Sequence, residues 1–262
     1  MYLRKLELED QAWVPAPIKD GMTDYLRFLF HTFDLYRPVV PILNEVLAKS
    51  NSCQIVDLCS GSGGAIRRIQ HHLEVIYSRR VQIVLTDLFP RIDAYSYLSG
   101  TTQQRISFES SPVDAANVPE RLKGVRTMFS GIHHFDPLSA RRVIANAVNA
   151  RQPIAFFDGG NKNFFMILLI LLIHPVAVML STPFIRPFRW SRLFYTYVFP
   201  FIIIGAVWDG IISIINLYRP STLLNIAQNV DNTHYLWKAG KVRNNIGLSI
   251  LYLTGIPTLP KV

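Results

Sequence analysis

The stretch from Gln54 to Ile66, QIVDLCSGSGGAI, constrains the fold more than any other part of the chain. It starts with an apolar run typical of a buried strand and continues into a glycine-rich turn, and helical spacing follows from Ala65 to Tyr77. Gly61 and Gly63 allow the backbone to approach a ligand closely, and the first N–H groups of the helix form a slightly positive seat. This stretch therefore predicts a strand, a glycine turn and a helix that together hold a nucleotide-type cofactor.

The spacing of the turn separates two classes of cofactor. A dinucleotide fingerprint that starts at Gly61 requires a glycine or alanine at the position of Ile66. The chain instead has an acid, Asp57, at the end of the first strand. A second apolar run, Val81 to Leu85, is also followed by an acid, Asp87. A dinucleotide-binding turn is therefore not expected.

These residues resemble the class I S-adenosylmethionine (SAM)-dependent methyltransferases, whose first motif reads roughly hydrophobic-D-x-G-x-G-x-G, with an acid at the end of strand two. Cys59 stands where that motif has its first glycine. The resemblance implies that the turn holds the methionine part of SAM and that Asp87 accepts hydrogen bonds from the ribose hydroxyls, because a carboxylate is an acceptor with two oxygens. The cofactor-binding residues implied in this way are Asp57, Ser60, Gly61, Gly63, Asp87, Leu88, Asp114 and Ser130.

The chain alternates between helical and strand patterns up to Asp158, the rhythm of a parallel sheet with crossover helices. The predicted elements after Asp87 are a helix near Ile92–Leu98, a strand at Arg105–Glu109, a short helix at Pro119–Leu122, a strand at Arg126–Ser130, a helix at Pro137–Ala150 and a strand at Pro153–Phe157. Ligands of such sheets bind at the carboxyl ends of the strands. Four acids lie at predicted strand ends: Asp57, Asp87, Asp114 and Asp158.

Two short aromatic and β-branched runs, Tyr235–Val242 and Leu248–Leu253, predict a closing antiparallel hairpin. The predicted fold is α/β, a Rossmann-like seven-stranded methyltransferase sheet with an apolar helical insertion between strands five and six. Its predicted parts are N-terminal cap helices (1–52), a SAM-binding core (53–160), the hydrophobic insertion (161–225) and the strand hairpin (226–262).

A histidine pair, His133 and His134, follows strand four in the sequence SGIHHF. In the resembling family, methylases of adenine or of the glutamine amide carry an acid or asparagine followed by Pro-Pro and an aromatic residue here, and cytosine C5 methylation needs a Pro-Cys nucleophile. Neither pattern is present, so no nucleic-acid substrate is expected. An imidazole titrates near neutral pH and can act as a general base, although one histidine bonded to the backbone and one exposed is the structural alternative. Without nearby cysteines the pair predicts no metal site.

The composition changes abruptly after strand five. Hydrophobic residues make up 50% of the chain and charged residues only 17%, which indicates an apolar segment within an enzyme-like average. The formal net charge is +9, and most of the excess lies after residue 160, where nine basic residues face two acidic ones. Because the neighbours of these cations are apolar, attraction to an anionic membrane surface is favoured over attraction to nucleic acid. The two cysteines predict no disulfide framework, and a reducing cytosolic side is expected.

Two stretches of the insertion, Asn163–Ile185 and Leu193–Tyr218, are long enough to cross a bilayer as helices. Prolines interrupt both, and the loop between them carries Arg186, Arg189 and Arg192, which a spanning hairpin would place outside the cell against the positive-inside tendency. The expectation is therefore a peripheral or monotopic protein on the cytoplasmic face of a membrane. An integral helical hairpin is the alternative.

The predicted function is methyl transfer from SAM to a hydrophobic small molecule or lipid-like acceptor, by O- or C-methylation. His133 and His134 are the candidate catalytic residues, and the candidate substrate residues are Trp13, Tyr25 and Asp209. An acid in an apolar helix is a candidate functional site, but pairing of Asp209 with an arginine of the insertion is slightly favoured. The alternative function is a membrane-associated, non-catalytic SAM-fold binding module.

Overall fold

A computed structural model describes residues 6–258 of the chain, and seven strands within them form one sheet. The strands are β1 (Gln54–Asp57), β2 (Gln82–Leu85), β3 (Ile106–Phe108), β4 (Val125–Phe129), β5 (Ile154–Gly159), β6 (Tyr235–Arg243) and β7 (Ser249–Pro257). Their order across the sheet is β3-β2-β1-β4-β5-β7-β6. The first five run parallel, and β7 is antiparallel to β5 and β6. The predicted seven-stranded sheet and its closing hairpin are confirmed.

The helices connect and cover these strands. They are α1 (Ala16–Thr32), α2 (Val40–Lys49), α3 (Ile66–Tyr77), α4 (Ile92–Thr101), α5 (Pro137–Asn149), α6 (Phe164–Ser181), α7 (Trp190–Leu193), α8 (Phe201–Asn216) and α9 (Pro220–Gln228). The short helix predicted at Pro119–Leu122 is wrong: a turn closed by the Leu122 N–H on the Pro119 carbonyl, at 3.0 Å, lies there. The predicted end of the insertion at residue 225 falls inside α9.

Both faces of the sheet are buried, because successive strand residues point to opposite sides. Ile55 of β1 belongs to an apolar cluster that contains Leu43 of α2 and Leu73 of α3. Its neighbour Val56 belongs to a second cluster, with Ile144 of α5. The strand ends are thereby fixed between two helical layers, and the side chains at their carboxyl ends are held in defined positions.

The second apolar stretch of the insertion, α8, is built into the core. It crosses α1 so closely that a Cβ on Gly21 would lie 2.2 Å from Cδ1 of Ile202, and a Cβ on Gly205 would lie 2.5 Å from Sδ of Met22. Such distances require glycine at both positions. The crossing ties the insertion to the N-terminal cap helix.

The first apolar stretch, α6, packs against α8 on one side and leaves most of its other side chains exposed. The large exposed residues on it are Phe164, Phe165, Leu168, Leu169, Leu171, Leu172, Ile173, Val176, Met179 and Leu180. Within the described residues, the helical segment Phe164–Phe184 is long and apolar enough to cross a membrane. The pair Trp190–Val198 and Phe201–Asn216 passes the same test only if the 81° bend between its halves is counted within one span.

Two of the three arginines between the apolar stretches are engaged with α1. The guanidinium of Arg192 is buried, lies 2.5 Å from Asp24 and donates to two backbone carbonyls, and Arg189 lies 2.7 Å from Asp20. Arg186 remains exposed. The expectation that these arginines face an anionic membrane surface is therefore wrong for Arg189 and Arg192, because their guanidinium groups bind acids of α1.

Replacement of Arg192 by methionine is expected to lower the free energy of unfolding by about 1.5 to 3 kcal/mol, because the buried Asp24 carboxylate loses the closer of its two arginine partners and keeps only Arg27 at 3.2 Å. Urea unfolding of the full chain in a mild detergent measures this loss. The matched control is Arg121→Met, which removes an exposed partner of Glu109 and is expected to change stability little. Equal losses in the two variants would contradict a structural role for the buried pair.

Candidate functional site

The glycine turn between β1 and α3 has the backbone that its sequence indicates. Cys59 has a φ of +53°, Gly61 of +53° and Gly63 of +90°. Cys59 thus adopts the left-handed conformation that favours the glycine for which it substitutes. A Cβ on Gly63 would lie 2.1 Å from Cδ1 of Leu98, so this position requires glycine for both conformation and space.

Asp57, at the end of β1, is a buried carboxylate held by hydroxyl groups. It accepts hydrogen bonds from Ser60 Oγ at 2.7 Å and Thr127 Oγ1 at 2.6 Å. Burial raises the pKa of Asp57 to about 6, against the two hydroxyl hydrogen bonds, which lower it. Asp57 therefore holds the glycine turn in place through its hydrogen bond with the Ser60 hydroxyl.

Asp87, at the end of the second strand, contacts the same turn directly. Its Oδ2 accepts the Gly61 N–H at 2.9 Å, and its Oδ1 accepts the Phe89 N–H at 2.9 Å. Burial raises the pKa of Asp87. The structure thus brings the acids at the ends of the first two strands, Asp57 and Asp87, into contact with one glycine turn.

The remaining predicted cofactor residues lie around the same edge of the sheet. Leu88 is exposed beside Phe89, and Asp114 is exposed and accepts the Ala116 N–H at 2.8 Å. Ser130 has a φ of +51°, and its hydroxyl hydrogen-bonds the hydroxyl of Tyr36. The sequence analysis missed Tyr36, whose oxygen also accepts the Gly159 N–H at 3.1 Å.

The histidine pair lies in a single helical turn after β4, and a carboxylate fixes each ring. His133 is buried, and its Nδ1 lies 2.7 Å from Oδ1 of Asp158 at the end of β5. The Nδ1 of His134 lies 2.9 Å from Oδ2 of Asp10. The two rings stack with their centroids 4.5 Å apart. The proposed alternative of a backbone-bonded and an exposed histidine is not what the structure contains.

The other ring nitrogens converge on a residue that the sequence analysis missed. Glu7 is 1% exposed, and its two oxygens lie 3.8 Å from His133 Nε2 and 3.3 Å from His134 Nε2. Burial lowers the pKa of His134, but the carboxylates of Glu7 and Asp10 outweigh that effect and raise it well above its usual value. No motif surrounds Glu7, and its neighbours in the fold are distant in sequence, so no local signal identifies it.

Asp209 holds the N-terminal segment that carries Glu7. Its carboxylate accepts the N–H groups of Leu8 at 2.6 Å and Glu9 at 3.0 Å, and the adjacent Trp208 indole donates to the Leu6 carbonyl at 2.7 Å. The prediction that Asp209 pairs with an arginine of the insertion is therefore wrong. Two backbone amides take its place, and burial raises the pKa of Asp209 to about 7.

Among the described residues, the site has more acids than cations. Acidic side chains that meet there are Glu7, Glu9, Asp10, Asp87, Asp158 and Asp209. The described cations are Arg91, which lies 3.7 Å from Glu9, Lys19 near Asp10, and the histidines. Burial raises the pKa of Glu9 to about 7. The surplus of carboxylates favours a positively charged ligand.

Two candidate substrate residues lie elsewhere. The Trp13 side chain is 73% exposed. Tyr25 is fully buried and meets the edge of His174, with the ring centroids 5.7 Å apart. Tyr25 therefore serves the packing of α1 against the insertion, and Asp24 beside it serves the ion pair with Arg192.

Comparisons with known proteins identify the fold. No protein-family model and no curated protein matches the chain. An O-methyltransferase of neocarzinostatin biosynthesis, solved with S-adenosylmethionine and 2-hydroxy-5-methyl naphthoic acid, is 14% identical over 92% of this chain and 59% of that chain, with a TM-score of 0.51. An O-methyltransferase family protein from Burkholderia thailandensis is 13% identical over 86% and 57%, with a TM-score of 0.48. A SAM-dependent methyltransferase from Aquifex aeolicus is 11% identical over 92% and 99%, with a TM-score of 0.49.

The chain spans between 46% and 57% of the length of the first three solved structures that it matches. At these identities the likeness concerns the fold. Together with the strand order, it shows that the chain has the Rossmann-like fold of class I SAM-dependent methyltransferases.

Replacement of Asp209 by alanine is expected to release the N-terminal segment, because two amides lose a charged acceptor worth about 1.5 to 3 kcal/mol each. Hydrogen exchange at the amides of Leu8 and Glu9 should then accelerate at least about tenfold, since 1.4 kcal/mol corresponds to a factor of ten. The control is Asp231→Ala, which removes a comparable amide acceptor at Thr233 and His234. Unchanged exchange at residues 8 and 9 in the Asp209 variant would contradict this anchoring.

Proposed function

We propose that this chain, folded as a class I methyltransferase, transfers the methyl group of SAM to a hydrophobic small molecule or lipid-like acceptor. The observation that carries the proposal is that two carboxylates, the buried Asp57 and the half-buried Asp87, both hydrogen-bond one glycine turn at the carboxyl edge of the sheet. That edge is where ligands of open α/β sheets bind.

The cofactor assignment follows the positions of these groups. The backbone of Gly61 and Gly63 borders the methionine part of SAM, and Asp87 accepts the ribose hydroxyls. Each Asp87 oxygen accepts one backbone N–H and keeps a further lone pair for an O–H donor. Leu88 and Asp114 border the adenine, and Ser130 lies at the end of β4 where cofactor and acceptor meet. The surplus of acids favours binding of the positively charged sulfonium.

The histidine pair is the part of the site assigned to the acceptor. Because Asp158 holds Nδ1 of His133, the nitrogen left for proton transfer is Nε2, which lies 3.8 Å from the Glu7 carboxylate. An acceptor hydroxyl or acidic C–H placed there can lose its proton to this nitrogen as its oxygen or carbon attacks the methyl carbon in line with the departing sulfur. Positioning of the two reactants supplies most of the rate.

The exposed apolar insertion supports a hydrophobic acceptor. The solved structure with the TM-score of 0.51 holds 2-hydroxy-5-methyl naphthoic acid, an aromatic acid. In the present chain, α6 and the bend before α8 expose many large apolar side chains, and the half-exposed Trp208 of α8 bonds the segment that carries Glu7. A membrane-dissolved acceptor can approach the histidines along this surface.

The same insertion supports attachment to one face of a membrane. Both ends of α6 are fixed to the same body: its start follows β5 directly, and the loop after it is tied to α1 through Arg189 and Arg192. We therefore propose a monotopic protein on the cytoplasmic face, with α6 lying in the interface.

Replacement of Asp87 by alanine is expected to weaken SAM binding by about 1 to 3 kcal/mol, the usual loss for hydrogen bonds to a charged group.

Replacement of His133 by alanine is expected to keep SAM affinity but lower turnover by roughly 10² to 10⁴, the scale of general acid–base catalysis. Calorimetry with SAM, together with single-turnover methyl transfer, separates the two effects.

Asp93→Ala, which removes a 77% exposed acid of α4, serves as the control and should alter neither quantity. Unchanged SAM affinity in a folded Asp87 variant would overturn the cofactor assignment. SAM binding without turnover in the unaltered chain, across hydrophobic acceptors, would favour the non-catalytic binding module.

The double variant Leu172→Glu with Leu180→Glu is expected to reduce vesicle binding at least about 100-fold, because burial of each leucine contributes about 1.5 to 3 kcal/mol. Flotation with vesicles of phosphatidylcholine and phosphatidylglycerol measures it. High salt should weaken binding only slightly, because Arg189 and Arg192 are paired internally. The matched control is Val75→Glu, a 65% exposed apolar residue of α3.

Cysteine labelling tests on which side of the membrane the loop after α6 lies. A cysteine placed at Trp190, which is 77% exposed, in a chain with Cys53→Ser and Cys59→Gly, is expected to be protected from an impermeant reagent in sealed cells. Labelling from outside would show that α6 crosses the bilayer.

A further inference from the structure

We propose that Glu7, His133 and His134 form a binding site for a divalent transition-metal ion of the zinc class. The inference concerns ion binding and stands independently of methyl transfer.

The three side chains are arranged around one point. The ligand atoms that they offer all lie within 4.8 Å of one another. The carboxylate oxygens of Glu7 lie 3.3 Å from Nε2 of His134 and 3.8 Å from Nε2 of His133. Tetrahedral coordination at zinc–nitrogen distances of about 2.0 to 2.1 Å places neighbouring ligand atoms about 3.4 Å apart. The ligand atoms lie up to 4.8 Å apart and the two rings stack with 30° between their planes, so the imidazoles rotate to bring all three ligands into bonding distance of one ion.

The other nitrogen of each imidazole already has the partner that metal-binding histidines require. Nδ1 of His133 is held by Asp158 at 2.7 Å, and Nδ1 of His134 is held by Asp10 at 2.9 Å. Because Glu7 and Asp10 raise the pKa of His134, an ion that binds there displaces a proton from its Nε2. A carboxylate on Nδ1 keeps the proton on that nitrogen and raises the basicity of Nε2 as a ligand. Both Nε2 atoms lie beside Glu7.

Glu7 supplies a second, independent observation. Its side chain is 2% exposed, and Oε1 has no hydrogen-bond partner among the described residues. An unpaired buried carboxylate oxygen is costly, and this one faces His133. Oδ2 of Asp158, on the far side of that ring, is likewise buried and without a partner. A bound cation coordinates Oε1 of Glu7 directly, and its positive charge stabilises the unpaired Oδ2 of Asp158.

The donor set selects the class of ion. Two imidazole nitrogens and one carboxylate oxygen suit zinc and its transition-metal neighbours, whereas magnesium and calcium prefer oxygen ligands. Three protein ligands leave at least one open position for water or for an oxygen of a bound molecule. If the acceptor's hydroxyl takes that position, the histidines promote loss of its proton through the ion rather than by removing it themselves.

The sequence alone argues against this site, because the histidine pair lacks nearby cysteines. Glu7 is brought to the pair by the anchoring of its neighbours, Leu8 and Glu9, on Asp209. The third ligand therefore depends on a contact between the N-terminal segment and the insertion.

The test uses the full chain in detergent, stripped with a chelator that is then removed. Calorimetry with Zn²⁺ and metal analysis after gel filtration are expected to give one ion per chain, and Co²⁺ should produce visible absorption bands. Glu7→Gln, which keeps the shape of the side chain, and His134→Ala should each weaken Zn²⁺ binding at least about 100-fold. Asp158→Asn should weaken it by about 10- to 100-fold. His234→Ala, an exposed histidine paired with Asp231, is the control and should bind Zn²⁺ as the unaltered chain does.

Failure of the unaltered chain to bind stoichiometric Zn²⁺, or undiminished binding in folded Glu7→Gln, would overturn the proposal. SAM affinity measured in the presence of chelator separates this outcome from failure of the methyltransferase assignment, since the SAM-binding residues do not include the three ligands.

Discussion

The hydrogen bonds from the backbone of Leu8 and Glu9 to the Asp209 carboxylate are the contacts on which the site depends. A carboxylate within an apolar helix is costly unless its oxygens are satisfied, and the N-terminal segment satisfies both. In doing so it places Glu7 against the histidine pair and covers the carboxyl ends of the strands. The insertion and the N-terminal segment, whose contacting residues Asp209 and Leu8 are 201 positions apart in the sequence, thus complete one site on the sheet.

The close crossing of α1 and α8 makes that arrangement rigid. Gly21 and Gly205 bring the helices together, and the buried pair of Asp24 and Arg192 fixes the loop that follows α6. As a result, the insertion is part of the folded body on one side and strongly apolar on the other. A surface of this kind, adjoining a polar site, suits an enzyme whose acceptor is dissolved in a membrane while its charged cofactor is in water.

The sheet and the cofactor edge could be predicted from local sequence, because apolar runs, glycine turns and terminal acids are properties of neighbouring residues. Asp57 and Asp87 lie where the pattern places them. The partner of Asp209 and the role of Glu7 could not be predicted, because both depend on contacts between distant parts of the chain. The count of charges wrongly predicted that Arg192 faces a membrane surface, because its guanidinium is buried against Asp24. The residue spacing wrongly predicted a helix at Pro119–Leu122, where the chain forms a single turn.

Methyl transfer from radiolabelled SAM to a membrane lipid extract, by the full chain in detergent, tests the central claim most directly. The account predicts that label enters the organic phase as a new hydrophobic product, in amounts that rise with both enzyme and extract. Label that stays in the aqueous phase or on the protein itself, while calorimetry shows that SAM is bound, would contradict the claim that this edge of the sheet methylates a hydrophobic acceptor.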